Sequence, residues 1–315
     1  MIEVRNLTKR FGTKVAVDDL SFDVPSGRVT GFLGPNGAGK TTTLRTIVGL
    51  LHPDSGSATI DGTSYRHLPA PMHQVGALLE AKSYHPARKA RDHLAALALA
   101  GRIPLKRVDE VLDLVGLSDV GGQRAGTFSL GMSQRLGIAT ALLGDPPVLI
   151  FDEPVNGLDP EGILWVRTFM QSLAAQGRTV FVSSHLMSEM ALMATHAVVI
   201  GRGRLIADSS IDDILKGRSR DAVRVRTPRP DLLMPRLEAA GGSLAPAEDD
   251  GSVVVSGLPA ERIGDIAMEA GSPLYQLVTV QASLEEAFME LTREDQEYHG
   301  HALASEALPA PAVPR

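Results

Sequence analysis

The sequence predicts an α/β layered fold over residues 1–215, followed by a smaller α+β unit over 218–292. Two observations carry this reading. Short Val-, Ile- and Phe-rich runs alternate with stretches of helical periodicity as far as Asp208, the pattern of strands and helices laid down in turn. After Gly217 the order becomes strand, helix, strand, strand, helix, strand, which is the ferredoxin-like arrangement.

Ile2-Glu3-Val4 alternates as a strand does, and residues 28–33 form a strand that feeds a Gly-rich turn, with a helix over 41–50. Residues 148–151 and 179–183 are short apolar runs suited to a parallel sheet covered on both faces. Between His93 and Leu143 strand character is absent. Leu94, Leu97 and Ala98, then Val108, Val111, Leu112 and Val115, recur at helical spacing, interrupted by Gly101-Arg102-Ile103-Pro104 and Gly121-Gly122. This reads as a helical subdomain, 81–145, inserted between core segments 1–80 and 146–215.

In the second unit, 223–226 alternates as a strand, 231–240 is helical, and 243–257 suggests a hairpin turning at Asp249-Asp250-Gly251. A helix over 260–269 and a strand over 275–280 complete the set. Ser283 with Glu286 three residues later is a capping-box start for a last helix. Residues 293–315, ending Leu308-Pro309-Ala310-Pro311-Ala312-Val313-Pro314-Arg315, lack apolar periodicity and are expected to be a disordered tail.

Composition excludes several classes. With no cysteine in 315 residues there is no disulfide scaffold and no thiolate metal site. The longest run without a charged residue, Ala270 to Leu284, is too short and too polar for a bilayer span, which takes about 18 or more apolar residues. The N-terminal residues lack the apolar run of a secretion signal, so a cytosolic address is expected. The net charge of −6 argues against a broad nucleic-acid footprint.

Gly34-Pro35-Asn36-Gly37-Ala38-Gly39-Lys40-Thr41-Thr42 contains G-x-x-x-x-G-K-[ST] between a predicted strand and a predicted helix. Glycines at these positions let successive N–H groups turn inward onto phosphate oxygens, and the helix N-terminus adds a favourable dipole. Lys40 is expected to reach the β- and γ-phosphates, and the Thr41 hydroxyl to ligate Mg²⁺. Asp152 and Glu153 follow the apolar run 148–151, at a carboxyl end of the sheet where ligands of α/β folds bind. Alone the pair is equally compatible with acids that end a strand because water solvates them there. Beside a phosphate loop, Asp152 becomes a Mg²⁺ anchor and Glu153 the group that polarises the attacking water. His185 closes another strand, a place where a lone histidine is more often structural.

Three further stretches complete a set: Phe128-Ser129-Leu130-Gly131-Met132-Ser133-Gln134-Arg135-Leu136, Asn156-Gly157-Leu158-Asp159-Pro160 and Ser184-His185. In this order they resemble the nucleotide-binding subunit of ATP-binding cassette (ABC) transporters over 1–215. The resemblance implies a P-loop NTPase fold and an ATPase that uses ATP and Mg²⁺. It implies that Phe11 stacks on adenine, although a lone Phe serves a core equally well, and that residues 34–42 form the Walker A loop. Asp152 and Glu153 then form the Walker B pair, Asp159 the D-loop and His185 the switch histidine.

Two positions depart from the family pattern. The signature pentapeptide, usually Leu-Ser-Gly-Gly-Gln, is Phe128-Ser129-Leu130-Gly131-Met132, which keeps the serine and second glycine that meet the γ-phosphate. Glu80 stands where the family usually has a Gln that senses Mg²⁺; a carboxylate can ligate the ion too, and a solvated loop charge is the plainer reading. The same Glu occurs in exporters of the bacitracin and lantibiotic self-protection type. The resemblance therefore implies a dimer with ATP between two copies, a separately encoded membrane permease as partner, and a place on the inner face of the cell membrane. A soluble ABC ATPase acting on ribosomes or DNA, and a slow regulatory ATP-binding module, are the competing readings.

The second unit resembles the extension on ATPase subunits of daunorubicin-resistance exporters and reads as a packing or dimer-contact module. Its cluster of Arg218, Arg220, Arg224, Arg226 and Arg229 alternates with Val223 and Val225, as on the wet face of a strand; attraction to lipid head-groups is the alternative.

Overall fold

The computed structural model describes residues 1–216, 222–246, 251–280 and 284–291. The chain opens with β1 (Ile2–Phe11), β2 (Lys14–Val24), β3 (Val29–Leu33), α1 (Lys40–Ile47), β4 (Ser55–Ile60) and β5 (Val75–Leu78). Helices α2 (Ala90–Ala100), α3 (Lys106–Leu114) and α4 (Leu130–Leu142) come next. They precede β6 (Val148–Asp152), α5 (Pro160–Ala175), β7 (Thr179–Ser184), α6 (Met187–Met193), β8 (His196–Gly201), β9 (Arg204–Ser210) and α7 (Ile211–Lys216). The C-terminal part holds β10 (Ala222–Arg226), α8 (Pro230–Ala239), β11 (Ser243–Pro246), β12 (Val253–Ser256), α9 (Ala260–Glu269), β13 (Gln276–Val280) and α10 (Leu284–Leu291).

The central sheet has the order β5-β6-β7-β3-β8-β9, parallel except for β9, which runs antiparallel to β8. Every residue of β3 and β7 is buried, which is why these runs are apolar on both faces of the strand and carry no alternation. Register sets the site: Leu33 pairs with Ser184, and Asp152 with Ser183, so the carboxyl ends of β3, β6 and β7 stop level with one another. The loops that follow those ends open onto one edge of the sheet, where ligands of parallel sheets bind.

A second sheet, β2-β1-β4, is antiparallel and was signalled in the sequence only by Ile2-Glu3-Val4. Register shifts after Val4 and Leu7 interrupt the alternation of β1, so a strict period of two does not run its length. Its inward residues, among them Leu7, Leu20 and Phe22, join Leu44, Ile47, Phe32 and Phe181 in one core. The rings of Phe22, Phe32 and Phe181 meet with centroids 5.0 to 5.7 Å apart. Helix α1 ends before residue 50 because Gly49 takes φ +71°, and Leu50 N–H then bonds back to Arg45 O, a Schellman stop.

Helices α2, α3 and α4 bury Leu94, Ala98, Val108, Val111, Leu112 and Leu136 in a core continuous with Leu78, Leu149 and Phe151 of the sheet. Helix α4 lies directly on β5. A Cβ at Gly76 would strike the Ala141 carbonyl, and one at Gly137 would strike Leu78, so the helix axis can come this close only with glycine at both places.

The C-terminal sheet has the order β11-β12-β10-β13, antiparallel throughout, with the chain order strand-helix-strand-strand-helix-strand. Val223, Val225 and Val255 face Leu233, Leu237, Ile263 and Ile266 of α8 and α9, while Arg226 is exposed. Arg218, Arg220, Asp249, Asp250, Ser283 and the tail 293–315 lie outside the described residues. Helix α10, grouped with the second unit in the sequence, buries Leu284 and Phe288 in the first core, against α6 and α7.

Gly76→Ala should lower stability by ~1–3 kcal/mol, because a methyl group has to displace either β5 or the Ala141 carbonyl. Urea unfolding of the purified chain reads this directly. A midpoint equal to wild type would show that the α4–β5 contact is looser than described.

Candidate functional site

The loop between β3 and α1 is shaped by backbone constraints. Gly37 and Gly39 take φ +83° and +104°, and a Cβ on Gly34 would lie 2.6 Å from Ile200 O. Gly39 caps α1 without a side-chain hydrogen bond, which leaves first-turn N–H groups for a ligand. Lys40 opens the helix with its side chain almost wholly buried. Its ammonium donates to Gly34 O at 2.6 Å and Pro35 O at 3.4 Å, and Glu153 Oε1 lies 3.9 Å away. Burial pulls the Lys40 pKa down, and the carboxylates of Glu153 and Asp152 act against that pull.

Asp152, at the end of β6, accepts from Thr41 Oγ1 at 2.8 Å and from the Ser183 hydroxyl. Glu153 follows in the left-handed region, φ +53°, a strained place for a non-glycine residue. Its N–H is held by Ser183 Oγ at 3.0 Å, and its carboxylate accepts from His185 Nδ1 at 2.8 Å. The strain turns the Glu153 carboxylate toward the loop side of the sheet. Phe11, Lys14, Ala16, Glu153, Asn156, His185 and the segment 35–42 line one cleft of about 510 Å³. Phe11 is 50% exposed, which rules out the core alternative for this ring and leaves it at the cleft wall.

The donor set suits a hard cation held jointly with a substrate. Among the described residues no three of His, Cys, Asp and Glu converge to hold a metal ion. Thr41 and Asp152 present oxygens only, which fits Mg²⁺, an ion that keeps waters and shares its shell with phosphates.

Four residues singled out in the sequence stand apart from this cleft. Ser129 caps α4, its hydroxyl accepting from Met132 N–H at 3.2 Å. Asp159 caps α5 in the same manner, accepting from Gly162 N–H at 2.9 Å. Leu130 packs over Gly157, and the space beside Gly131 is open as far as Leu158, so the signature and D-loop segments form a second surface of their own. Glu80 is exposed and bonded to Arg45 on α1 at 2.9 Å. Sequence reasoning missed Lys14 and Asn156 as cleft-lining residues and Ser183 as the clamp on Asp152 and Glu153. Only Ser183 left a signal, as a hydroxyl ending a buried apolar strand.

This arrangement is that of a nucleoside-triphosphate-binding cassette. Residues 17–156 match the family model described as ABC transporter, and 221–285 match one described as a domain of unknown function, DUF8746. The chain is 35% identical over 314 residues to an ABC transporter ATP-binding protein of Bacillus subtilis, YhcH, covering 96% of this chain and 99% of the relative. It is 41% identical over 219 residues to the bacitracin transport ATP-binding protein BcrA of Bacillus licheniformis, covering 69% of this chain and 72% of that protein. A solved structure titled as the ATP-binding subunit of an ABC transporter superposes with a TM-score of 0.63 at 28% identity, covering 69% of this chain and 92% of its own. The chain belongs to the ABC transporter ATP-binding family, whose members bind and hydrolyse ATP.

Lys40→Ala should abolish retention of ATP while leaving the chain folded, since the lost ammonium is bonded only to its own loop carbonyls and faces Glu153. Filter retention of labelled ATP, with thermal melting as the folding control, checks it. Wild-type retention would refute the phosphate cradle.

Proposed function

We propose that this chain is the ATP-hydrolysing subunit of an exporter for drug or peptide antibiotics, working as a pair of copies against a separate membrane permease on the inner face of the cell membrane. The separation of the two surfaces supports pairing. Ser129 and Gly131 do not line the cleft that holds Lys40, so one chain supplies the loop side of one ATP and the signature side of another. Among the described residues no helix is long and apolar enough to cross a membrane, in keeping with a span supplied by another chain.

In this reading Phe11 stacks on adenine, and residues 34–42 hold the phosphates through their N–H groups. On binding, the Lys40 ammonium exchanges the Gly34 and Pro35 carbonyls for β- and γ-phosphate oxygens. Mg²⁺, when bound, neutralises charge on the phosphates, and Thr41, Asp152 and Glu80 are the side chains that would hold it. Glu80 would have to leave Arg45 to do so. Glu153 takes the proton of the attacking water, and His185 fixes the Glu153 carboxylate through the 2.8 Å bond and reaches the γ-phosphate from the same side. Ser129, Gly131 and Asp159 of the second copy close the site. The observation that carries the chemistry is Glu153 itself, held in strain between Ser183 and His185 within 3.9 Å of Lys40.

The exporter class rests on Glu80 and on the likeness to BcrA. The division into a cassette, 1–215, with its helical segment, 81–145, and an accessory unit from 218 belongs to the same reading.

Glu153→Gln should slow hydrolysis by about 10²- to 10⁴-fold while ATP stays bound, as expected for loss of a general base. Undiminished turnover would remove Glu153 from that role. Expressed together with a candidate permease, the wild-type chain should raise the tolerance of susceptible cells to bacitracin-like peptides, and Glu153→Gln should cancel the gain. Unchanged tolerance alongside intact ATPase activity would overturn the substrate class and leave the chemistry standing.

A further inference from the structure

We infer that Tyr84 is a positioning residue that ties the Glu80 loop to the signature serine, so that one chain's two half-sites are mechanically joined. The inference rests on the paired-copy reading above. Its basis is a hydrogen-bond chain with a defined polarity. The Ser133 hydroxyl donates to Ser129 O at 2.8 Å, which uses its one proton, so the Tyr84 hydroxyl is the donor in its 2.7 Å bond to Ser133 Oγ. Ser133 N–H reaches the same Ser129 carbonyl at 2.9 Å. The carbonyl of the signature serine is therefore held twice, once by the backbone of its own helix and once by the Ser133 hydroxyl, which Tyr84, 49 positions before Ser133, holds in turn.

The other end of the chain lies at Glu80. Ser83 Oγ donates to Glu80 O at 2.8 Å and closes a tight turn, and Tyr84 is the next residue. Ser133 is completely buried, and the Tyr84 ring packs against the helical core with an edge on His93, centroids 6.1 Å apart. Water has no access to Ser133 from which to replace the tyrosine hydroxyl, so the bond is one the fold must keep or leave unmade. Beneath the turn, a small cavity of about 40 Å³ lies between Glu80, Ser83 and Tyr84 on one side and Gly137 and Thr140 of α4 on the other. That space leaves the turn and the Tyr84 ring room to shift together against α4. When Glu80 leaves Arg45, the turn carries Tyr84 with it, and the pull falls on the Ser129 carbonyl at the start of α4. The serine presented to the second copy thereby responds to the state of the first copy's own nucleotide.

The test is Tyr84→Phe, which removes the hydroxyl and keeps the ring. Combined with Glu153→Gln, it should raise the ATP concentration needed for half-maximal dimer formation in size-exclusion chromatography about fivefold, the scale of one buried hydrogen bond. In the hydrolysing protein it should lower the Hill coefficient toward one. Labelled-ATP affinity of the single chain should stay at its wild-type value and the melting temperature should fall by only about 2–4 °C, the cost of one buried hydrogen bond; a merely structural role for the hydroxyl would give that fall with wild-type dimerisation and cooperativity. Ser133→Ala should reproduce the effect, and the double variant should be no worse than either single one. If Tyr84→Phe dimerises and cooperates as wild type does, the linkage is wrong and the paired-copy reading stands. If the wild-type chain hydrolyses ATP without cooperativity and stays monomeric as Glu153→Gln, both are wrong.

Discussion

A buried ammonium governs the architecture of this site. Lys40 sits almost wholly out of water, bonded to two carbonyls of its own loop, with Glu153 near but beyond hydrogen-bond range. Backbone oxygens carry only partial charge, so they solvate the cation without neutralising it, and burial accordingly lowers its pKa. A phosphate offers full charge at the same place, which makes the loop a preformed receptor that needs little rearrangement. The glycines at 34, 37 and 39 follow from the same requirement, because any Cβ there would clash or strain the turn that points N–H groups inward. Thr41 and Asp152 satisfy one another beside the loop, and theirs are the oxygens that would hold a cation shared with phosphates.

The signature surface must hold its shape at a distance from that receptor, and side chains of the helical segment do this. Arg135 lays its guanidinium 3.9 Å from the centroid of the Trp165 ring and donates to Val115 O at 2.8 Å. One residue thus joins the end of α3, the body of α4 and the outer face of α5, the helix that Asp159 caps. The contact is worth ~1–2 kcal/mol in a partly dried setting. Trp165 in turn stacks on Phe169, with centroids 5.1 Å apart. The signature and D-loop segments are accordingly coupled as one piece, and a rotation of the helical segment moves both.

What the sequence disclosed, and what it hid, divides along a physical line. Strands β3, β6 and β7 were legible because burial on both faces leaves an unbroken apolar run, and the phosphate loop was legible because its constraints are local to nine residues. The hairpin of β1 and β2 was not, since register shifts erase its alternation. Neither was α5, whose apolar residues follow a turn motif that drew the reading to Asp159 alone. Phe11 and His185 were picked out only through the resemblance to the ABC family, and Glu153 as an acid after an apolar run beside a phosphate loop, yet the strain at Glu153 and its clamp by Ser183 depend on a strand 30 positions away. Glu80 was legible as a position but not in its bond to Arg45, which arises only when the loop after β5 is brought to α1.

The last helix of the C-terminal part, α10, touches the cassette through α6 and α7, and α6 begins two residues after His185. The buried face of α6 is made of Met187, Met190 and Met193, side chains that repack with little loss because they are unbranched and polarisable. The Met190 sulfur lies over Gly31 of β3, the strand whose end becomes the phosphate loop, and a side chain at Gly31 would evict it. Helix α6 therefore stands between α10 and β3, with methionines on its buried face. Unbranched, polarisable side chains fill an irregular gap more readily than branched ones, so the accessory part can pack on α6 without demanding a unique fit against β3.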